Sequence, residues 1–330
     1  MIARRLRLPV SLALAAAAGF PVRAQVPDIR VDVRLVRILA TVKNAAGQLV
    51  GSLEKDDFRV YDNGVPQQIA VFERHTEQPL SVSVLIDTSG STAKELRYET
   101  ESVSRFLKAL FAEGNPADTA ALYSFNYQVV KHNHFTRNHT SLERSLKTLK
   151  PEGGTSLYDA LYLAAGELGD RDGRHVIVVV TDGGDTTSAK DFHGALEAVQ
   201  LADAVIYPVL VMPIINDAGR NIGGENALAT FAARTGGRVF LPQVGPELDK
   251  AFAEIIKELR TQYLLAYYPK NVPPSKDRFH RLRVEAGRSD LRVLARSGYY
   301  GETDSDSVST NGRVLVVPEV ETKPERRREK

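Results

Sequence analysis

The spacing of hydrophobic and polar positions changes twice along this chain. In residues 25–79 apolar residues alternate with polar ones, most clearly at 29–38, and the turn signal Asp62-Asn63-Gly64 separates two short runs of this kind. In residues 80–261 apolar runs are separated by segments in which apolar residues recur every three or four positions. Alternation returns in residues 262–301. The pattern predicts β structure at both ends and alternating strands and helices between them.

The central region carries the strongest signals. Residues 80–87 and 175–181 are apolar runs, and the second is an almost unbroken series of β-branched residues, which is typical of a strand buried on both faces of a parallel sheet. Further strands are expected at 118–125, 128–132, 205–211 and 238–241. Helices are expected at 92–112, 141–149, 157–168, 189–202, 226–234 and 246–262. Strands separated by helices predict an α/β fold with a doubly wound, Rossmann-like and mostly parallel sheet.

The terminal segments change the domain picture. Three strands are expected in residues 262–301, and three strands alone form a marginal sheet. We therefore expect them to pair with residues 25–79 in a small β-sandwich-like domain that carries residues 80–261 as an insertion. Residues 302–330 are Ser-rich and acidic and then end in a basic run, a composition that predicts a disordered tail.

The first 24 residues have the features of a secretory signal peptide. Three arginines precede an apolar run at 8–20, and Val22-Arg23-Ala24 fits a cleavage site before Gln25. A membrane anchor is the alternative, but the run is shorter than the roughly 20 residues that span a bilayer. Without this segment the chain has 39 basic and 41 acidic residues and no cysteine. We therefore expect a secreted or periplasmic protein with no disulfides, no nucleic-acid partner and no integral membrane segment after cleavage.

Three polar segments are expected at one edge of the predicted sheet. They are residues 87–91, 153–156 and 181–185, each in a strand-to-helix loop or just before a helix. Because ligands of open α/β sheets bind beyond the carboxyl ends of the strands, these side chains are expected to converge. Their carboxylate and hydroxyl oxygens suit Mg²⁺, Mn²⁺ or Ca²⁺. The alternative is that Asp87 and Asp182 only cap the helices that follow.

This arrangement resembles the metal-ion-dependent adhesion site of von Willebrand factor type A domains, over about residues 80–261. The matching positions, hereafter the five candidate ligands, are Asp87, Ser89, Ser91, Thr155 and Asp182. The flanking β segments resemble the secreted bacterial "VWFA-related" group. The resemblance implies that the two serines and the threonine or an aspartate contact the cation, with other carboxylates acting through water. Five hard donors leave one octahedral position open, which an Asp or Glu of a protein partner would fill.

The function expected from these features is an exported binding or adhesion module without catalytic residues. The alternative is a structural scaffold of an envelope complex in which the metal only stabilises the fold. Ser91-Thr-Ala-Lys94 matches the Ser-x-x-Lys pattern of penicillin-recognising enzymes, but the chain lacks the other motifs of that class. Helix 246–262 runs directly into the returning β strands, so partner binding could be transmitted to the β domain.

Overall fold

The computed structural model describes residues 35–112, 114–211, 222–273 and 275–301. The predicted signal peptide, the predicted tail and most of the predicted strand at 29–38 lie outside these residues. Within them, no helix is long and apolar enough to cross a membrane.

Strands form in three groups along the chain. The first group is β1 (Val36–Lys43), β2 (Phe58–Asp62), β3 (Val65–Gln67) and β4 (Ile69–Glu73). The second is β5 (Leu80–Asp87), β6 (Thr119–Phe125), β7 (Val129–Thr136), β8 (Arg174–Thr181) and β9 (Ala204–Leu210). The third is β10 (Tyr263–Tyr267), β11 (Phe279–Ala286), β12 (Arg292–Ala295) and β13 (Gly298–Tyr300).

The second group forms the central sheet. Among the described residues it has five strands in the order β7-β6-β5-β8-β9, and the pairs β6·β5, β5·β8 and β8·β9 are parallel. Strand β7 pairs antiparallel to β6 at the edge. All eight residues of β5 and all eight of β8 are buried, as the apolar run predicts for central strands.

Helices cover both faces of this sheet. They are α1 (Leu96–Ala112), α2 (His139–Leu146), α3 (Leu157–Gly169), α4 (Phe192–Leu201), α5 (Ile222–Thr235) and α6 (Pro246–Thr261). The apolar residues of α1, α2 and α6 share one core with the β5 side chains Val82, Val84 and Ile86. Those of α3, α4 and α5 pack on the opposite face, in a second core that contains Leu85. The predicted doubly wound α/β fold is confirmed.

One predicted strand is wrong. Residues 238–241 contribute only an isolated parallel bridge between Phe240 and Val209. The Arg238 side chain turns instead to Glu254 and Glu258 on α6, at 2.6 and 2.7 Å, and Leu241 is exposed. Residues 238–241 therefore make one bridge to β9 and do not form a sixth strand of the described sheet.

The terminal segments form two further antiparallel sheets. Their orders are β12-β1-β10-β4 and β13-β11-β2-β3, so each sheet combines strands from before and after the α/β region. In the first, Val36 pairs with Tyr267; in the second, Val60 pairs with Val284. A separate apolar core lies between these strands. The expected pairing of the two β segments is observed, and the insertion boundaries at 80 and 261 stay a prediction.

Candidate metal site at the carboxyl edge of the central sheet

The site lies where the connections of the central sheet change direction. Strand β5 continues to β6 on one side, whereas β8, its neighbour on the other side, continues to β9. In open α/β sheets such a switch point leaves a crevice at the carboxyl ends of the strands. Asp87 is the last residue of β5, and Asp182 directly follows β8.

Asp87 is fully buried and firmly held. Its Oδ1 accepts a hydrogen bond from the Ser89 backbone N–H at 2.8 Å, and its Oδ2 accepts one from the Thr181 hydroxyl at 2.6 Å. Burial raises the pKa of Asp87 to about 6, and these two hydrogen bonds act in the opposite direction. The charged form of this carboxylate is therefore only partly compensated, a deficit that a bound cation would offset.

A chain of hydrogen bonds leads from there to the surface. The Ser89 and Ser91 hydroxyls are 3.0 Å apart, and the Ser91 hydroxyl donates to Asp182 Oδ1 at 3.1 Å. Ser89 is buried and Ser91 is exposed, while Asp182 is half-buried. Burial also raises the pKa of Asp182. Four of the five candidate ligands are thus brought together, and the exposed end of the set is at Ser91.

Thr155 reaches the same edge through the backbone of its loop. The Gly90 N–H donates to the Gly153 carbonyl at 3.0 Å, and the Thr186 N–H donates to the Thr155 carbonyl at 2.8 Å. Gly153 has a φ of +73°, and a Cβ there would collide with the ring of Tyr127. The three loops are therefore linked to one another by backbone hydrogen bonds, with Thr155 buried between the other two.

Neither Asp87 nor Asp182 is the cap of the helical segment that follows it. Ser89 is the N-cap residue of the 3-10 turn after β5. The residue that caps the helix after β8 is Asp191, whose side chain accepts from the Gly194 N–H at 2.8 Å. Asp185 supports the start of α3, because it accepts from the Tyr158 N–H at 3.2 Å. The Asp182 carboxylate instead receives the Ser91 hydroxyl from a different loop.

One carboxyl group at this edge was not anticipated. Glu99, on α1, is fully buried, and both of its carboxyl oxygens are without a hydrogen-bond partner. Burial raises its pKa well above the usual range, and the negative charges of Asp87 and Asp182 add to the effect. The sequence carried a signal for it, because Glu99 stands three residues after Leu96 and four before Val103 on the apolar face of the predicted helix.

The donor set fits a hard divalent cation. It offers carboxylate and hydroxyl oxygens, which Mg²⁺, Mn²⁺ and Ca²⁺ prefer. In the described part of the chain no three His, Cys, Asp or Glu side chains lie close enough to hold a metal by themselves. Any cation here would therefore depend on the serine and threonine hydroxyls, as the resemblance implies. Both carboxyl oxygens of Glu99 lack a hydrogen-bond partner, so this third acid is also not compensated by a positive charge.

The fold and the site define an α/β protein with an open sheet and a group of carboxylate and hydroxyl oxygens at the carboxyl edge of that sheet. Residues 82–184 match the family model of the von Willebrand factor type A domain. This match confirms the expected type A domain in that part of the chain, and the matched residues include the five candidate ligands. A comparison with curated protein sequences found no match.

Solved structures resemble the chain at low identity. The PilB minor pilin from Streptococcus sanguinis is 14% identical with a TM-score of 0.44, and the match covers 56% of this chain and 62% of that one, less than two thirds of its length. The vWF domain of the type V pili tip protein Mfa5 from Porphyromonas gingivalis is 15% identical, with a TM-score of 0.45 over 55% of this chain and 95% of that one. Proximal thread matrix protein 1 from the mussel byssus, with a zinc-occupied MIDAS motif, is 14% identical, with a TM-score of 0.47 over 60% of this chain and 49% of that one.

Proposed function

We propose that this chain is an exported, non-enzymatic binding module that captures a protein partner through a divalent cation. Asp87, Ser89, Ser91, Thr155 and Asp182 would hold the cation, which is Mg²⁺, Mn²⁺ or Ca²⁺. An Asp or Glu of the partner would complete its coordination. Cleavage before Gln25 would release the protein to the periplasm or the medium.

The observation that carries the proposal is the hydrogen-bonded chain from Asp87 to Asp182. The buried Asp87 carboxylate accepts from the Ser89 backbone N–H, the Ser89 hydroxyl contacts the Ser91 hydroxyl, and the exposed Ser91 hydroxyl donates to the half-buried Asp182 carboxylate. A site of this shape would hold a cation from below and leave it open to solvent on one side. That opening is where a partner's side chain would enter.

The charges favour an acidic partner. Asp87 and Asp182 together offset the formal charge of a divalent ion, whereas the serine and threonine hydroxyls contribute no charge. A cation contacted mainly by neutral oxygens keeps a strong attraction for an incoming carboxylate. The function therefore requires only binding, and the five side chains need no role as general acid or base.

Metal binding is tested with Asp182→Asn, which keeps the size of the side chain and removes its charge. Mg²⁺ or Mn²⁺ should raise the melting temperature of the wild type and have little effect on this variant. The matched control is Asp172→Asn, because Asp172 is exposed and precedes β8 at the opposite edge of the sheet. Equal metal-induced shifts in all three proteins would refute the site.

Partner capture is tested with Mn²⁺ as the cation and glutarate as a carboxylate probe. If a carboxylate enters the open position, it displaces a bound water, and the water-proton relaxation rate of the Mn²⁺-loaded protein should fall as glutarate is added. Asp172→Asn should behave like the wild type. A relaxation rate that does not respond to glutarate, in a protein that binds Mn²⁺, would contradict the adhesion function.

The scaffold alternative is favoured by a different observation. Three of the five candidate ligands, Asp87, Ser89 and Thr155, are buried, which suits a cation that stabilises the fold. On this alternative Mn²⁺ raises the melting temperature, yet glutarate does not reach the cation. The two experiments together therefore separate a metal that binds a partner from one that only supports the structure.

A further inference from the structure

Glu99 is an exception among the buried acids in the part of the chain that the structure describes. Asp118 pairs with Arg260 at 2.7 Å and accepts from the Leu80 N–H at 2.8 Å. Glu258 pairs with both Lys43 and Arg238 at 2.7 Å. Each of these buried carboxylates has its own cation, as is usual when a charge is removed from water. Glu99 is equally buried and has no hydrogen-bond partner for either oxygen.

The charges that act on Glu99 are all negative. They come from Asp87 and Asp182, which are candidate ligands, and from Glu95 in the preceding turn. Burying a third acid beside two carboxylates is costly unless a cation shares the region. Helix α1 begins at Leu96, directly after the 3-10 turn Gly90–Lys94 that contains Ser91, so a cation held by Asp87 and Asp182 would supply the positive charge that Glu99 lacks.

We propose that Glu99 is a further carboxylate of the metal site, acting on the bound cation without contacting it directly and setting its affinity. The inference rests on the proposed metal site. It excludes direct ligation, because Glu99, Asp87 and Asp182 do not form a group close enough to share one ion. Groups that act on a metal from beyond its ligands typically change its affinity by about 10–100-fold when they are removed.

Glu99 should also influence what the loaded site accepts. With three carboxylates around a divalent ion the region has a surplus negative charge, which weakens the attraction for an incoming carboxylate. Glu99 therefore favours the cation and disfavours an acidic ligand. Its removal should change the two affinities in opposite directions, which a purely structural role for the side chain would not do.

The test compares Glu99→Gln with the wild type and with Glu101→Gln. Glu101 lies on the same helix, is exposed and pairs with Arg97 at the surface, so it is a matched control for the loss of one glutamate charge. Free Mn²⁺ is measured by electron paramagnetic resonance during titration. We expect Glu99→Gln to bind Mn²⁺ at least about tenfold more weakly, and Glu101→Gln to match the wild type.

Two further readouts accompany this titration. In EDTA, Glu99→Gln should melt at no lower a temperature than the wild type, because burial and the neighbouring carboxylates disfavour the charged form of Glu99 when no cation is bound. Once Mn²⁺ is saturating, the variant should bind glutarate more tightly than the wild type. If Glu99→Gln folds poorly, Glu99→Met provides an uncharged side chain of similar volume and should show the same loss of Mn²⁺ affinity.

The outcomes distinguish this inference from the proposed function. A wild type that does not bind Mn²⁺, or an Asp182→Asn variant that binds it unchanged, would refute the metal site itself. If Asp182→Asn loses Mn²⁺ but Glu99→Gln keeps the wild-type affinity within about twofold, the site stands and the role of Glu99 is refuted. Weaker Mn²⁺ binding with tighter glutarate binding in Glu99→Gln supports it.

Discussion

Two aspartates in this protein each lie at the end of a β-strand, but their surroundings differ. Asp62 ends β2 in the β-sandwich and Asp87 ends β5 in the central sheet, and both are fully buried. Asp62 accepts hydrogen bonds from the Tyr267 and Tyr299 hydroxyls at 2.7 and 2.8 Å, and it lies 3.0 Å from the His280 Nδ1. Asp87 has two donors, with the negative charges of Asp182 and Glu99 close by.

The number of donors around each carboxylate indicates its role. Asp62 has a structural role, whereas Asp87 is suited to bind a cation. Asp62 joins the two sheets of the β-sandwich, because Tyr267 belongs to β10 in the other sheet. Burial and the nearby carboxylate raise the pKa of Tyr267 and of Tyr299, so both hydroxyls stay protonated and donate. A buried acid with its donors in place needs no ion. The edge at Asp87 has more negative charge than its own donors compensate.

The largest effect is expected from Asp62→Ala. Removing this acceptor takes the Asp62 partner from the buried Tyr267 hydroxyl, from the Tyr299 hydroxyl and from His280, and the variant should lose about 3 kcal/mol or more in the free energy of unfolding. Guanidinium unfolding in Mg²⁺ and in EDTA should give the same loss, because this cluster is not linked to the metal. A loss that depends on Mg²⁺ would contradict the separation of the two regions.

Metal removal should have the next largest effect. At a Mg²⁺ concentration of about 100 times its dissociation constant, binding adds about 2.7 kcal/mol to the free energy of unfolding. EDTA should remove this contribution from the wild type, and Asp87→Ala should lack it in either buffer. Thermal melts of both proteins with and without Mg²⁺ test it. A metal-induced shift that persists in Asp87→Ala would show that the cation binds elsewhere.

Tyr299→Phe tests the hydrogen bonds of Asp62 with a smaller change. It removes one of the three donors to Asp62 and leaves the ring in place. We expect a loss of about 1.5 kcal/mol, the lower value for a hydrogen bond to a charged group. Urea unfolding measures it, and Tyr300→Phe on the same strand provides the comparison. Equal stabilities of the two variants would mean that the hydrogen bond from Tyr299 to Asp62 does not stabilise the fold.

The smallest effect is expected from Thr155→Val, which replaces one neutral hydroxyl by a methyl group of the same shape. The dissociation constant for Mg²⁺ should rise by about fivefold, corresponding to about 1 kcal/mol. Thr155→Ser keeps the hydroxyl and should bind like the wild type. Calorimetric titration with Mg²⁺ measures all three proteins. If Val and Ser variants bind Mg²⁺ equally, Thr155 is not a ligand.

The local pattern of the sequence predicted most elements and the fold class correctly. The unbroken apolar runs of β5 and β8 identified the two central strands, because a strand buried on both faces tolerates few polar positions. The same reasoning indicated that Asp87 and Asp182 would meet at one edge, since adjacent parallel strands end together. It was wrong at 238–241, where Arg238 has partners on a helix.

Only the tertiary structure decided which buried charges are compensated. Asp62 meets Tyr267 and Tyr299, which are more than two hundred residues away in sequence, and no local spacing could assign them as its partners. The spacing of Glu99 is compatible with the apolar face of α1, but its lack of a hydrogen-bond partner is visible only in the folded structure. Periodicity reports which face of an element is buried. Whether a buried charge has a partner depends on groups from distant segments of the chain, and only folding brings these groups together.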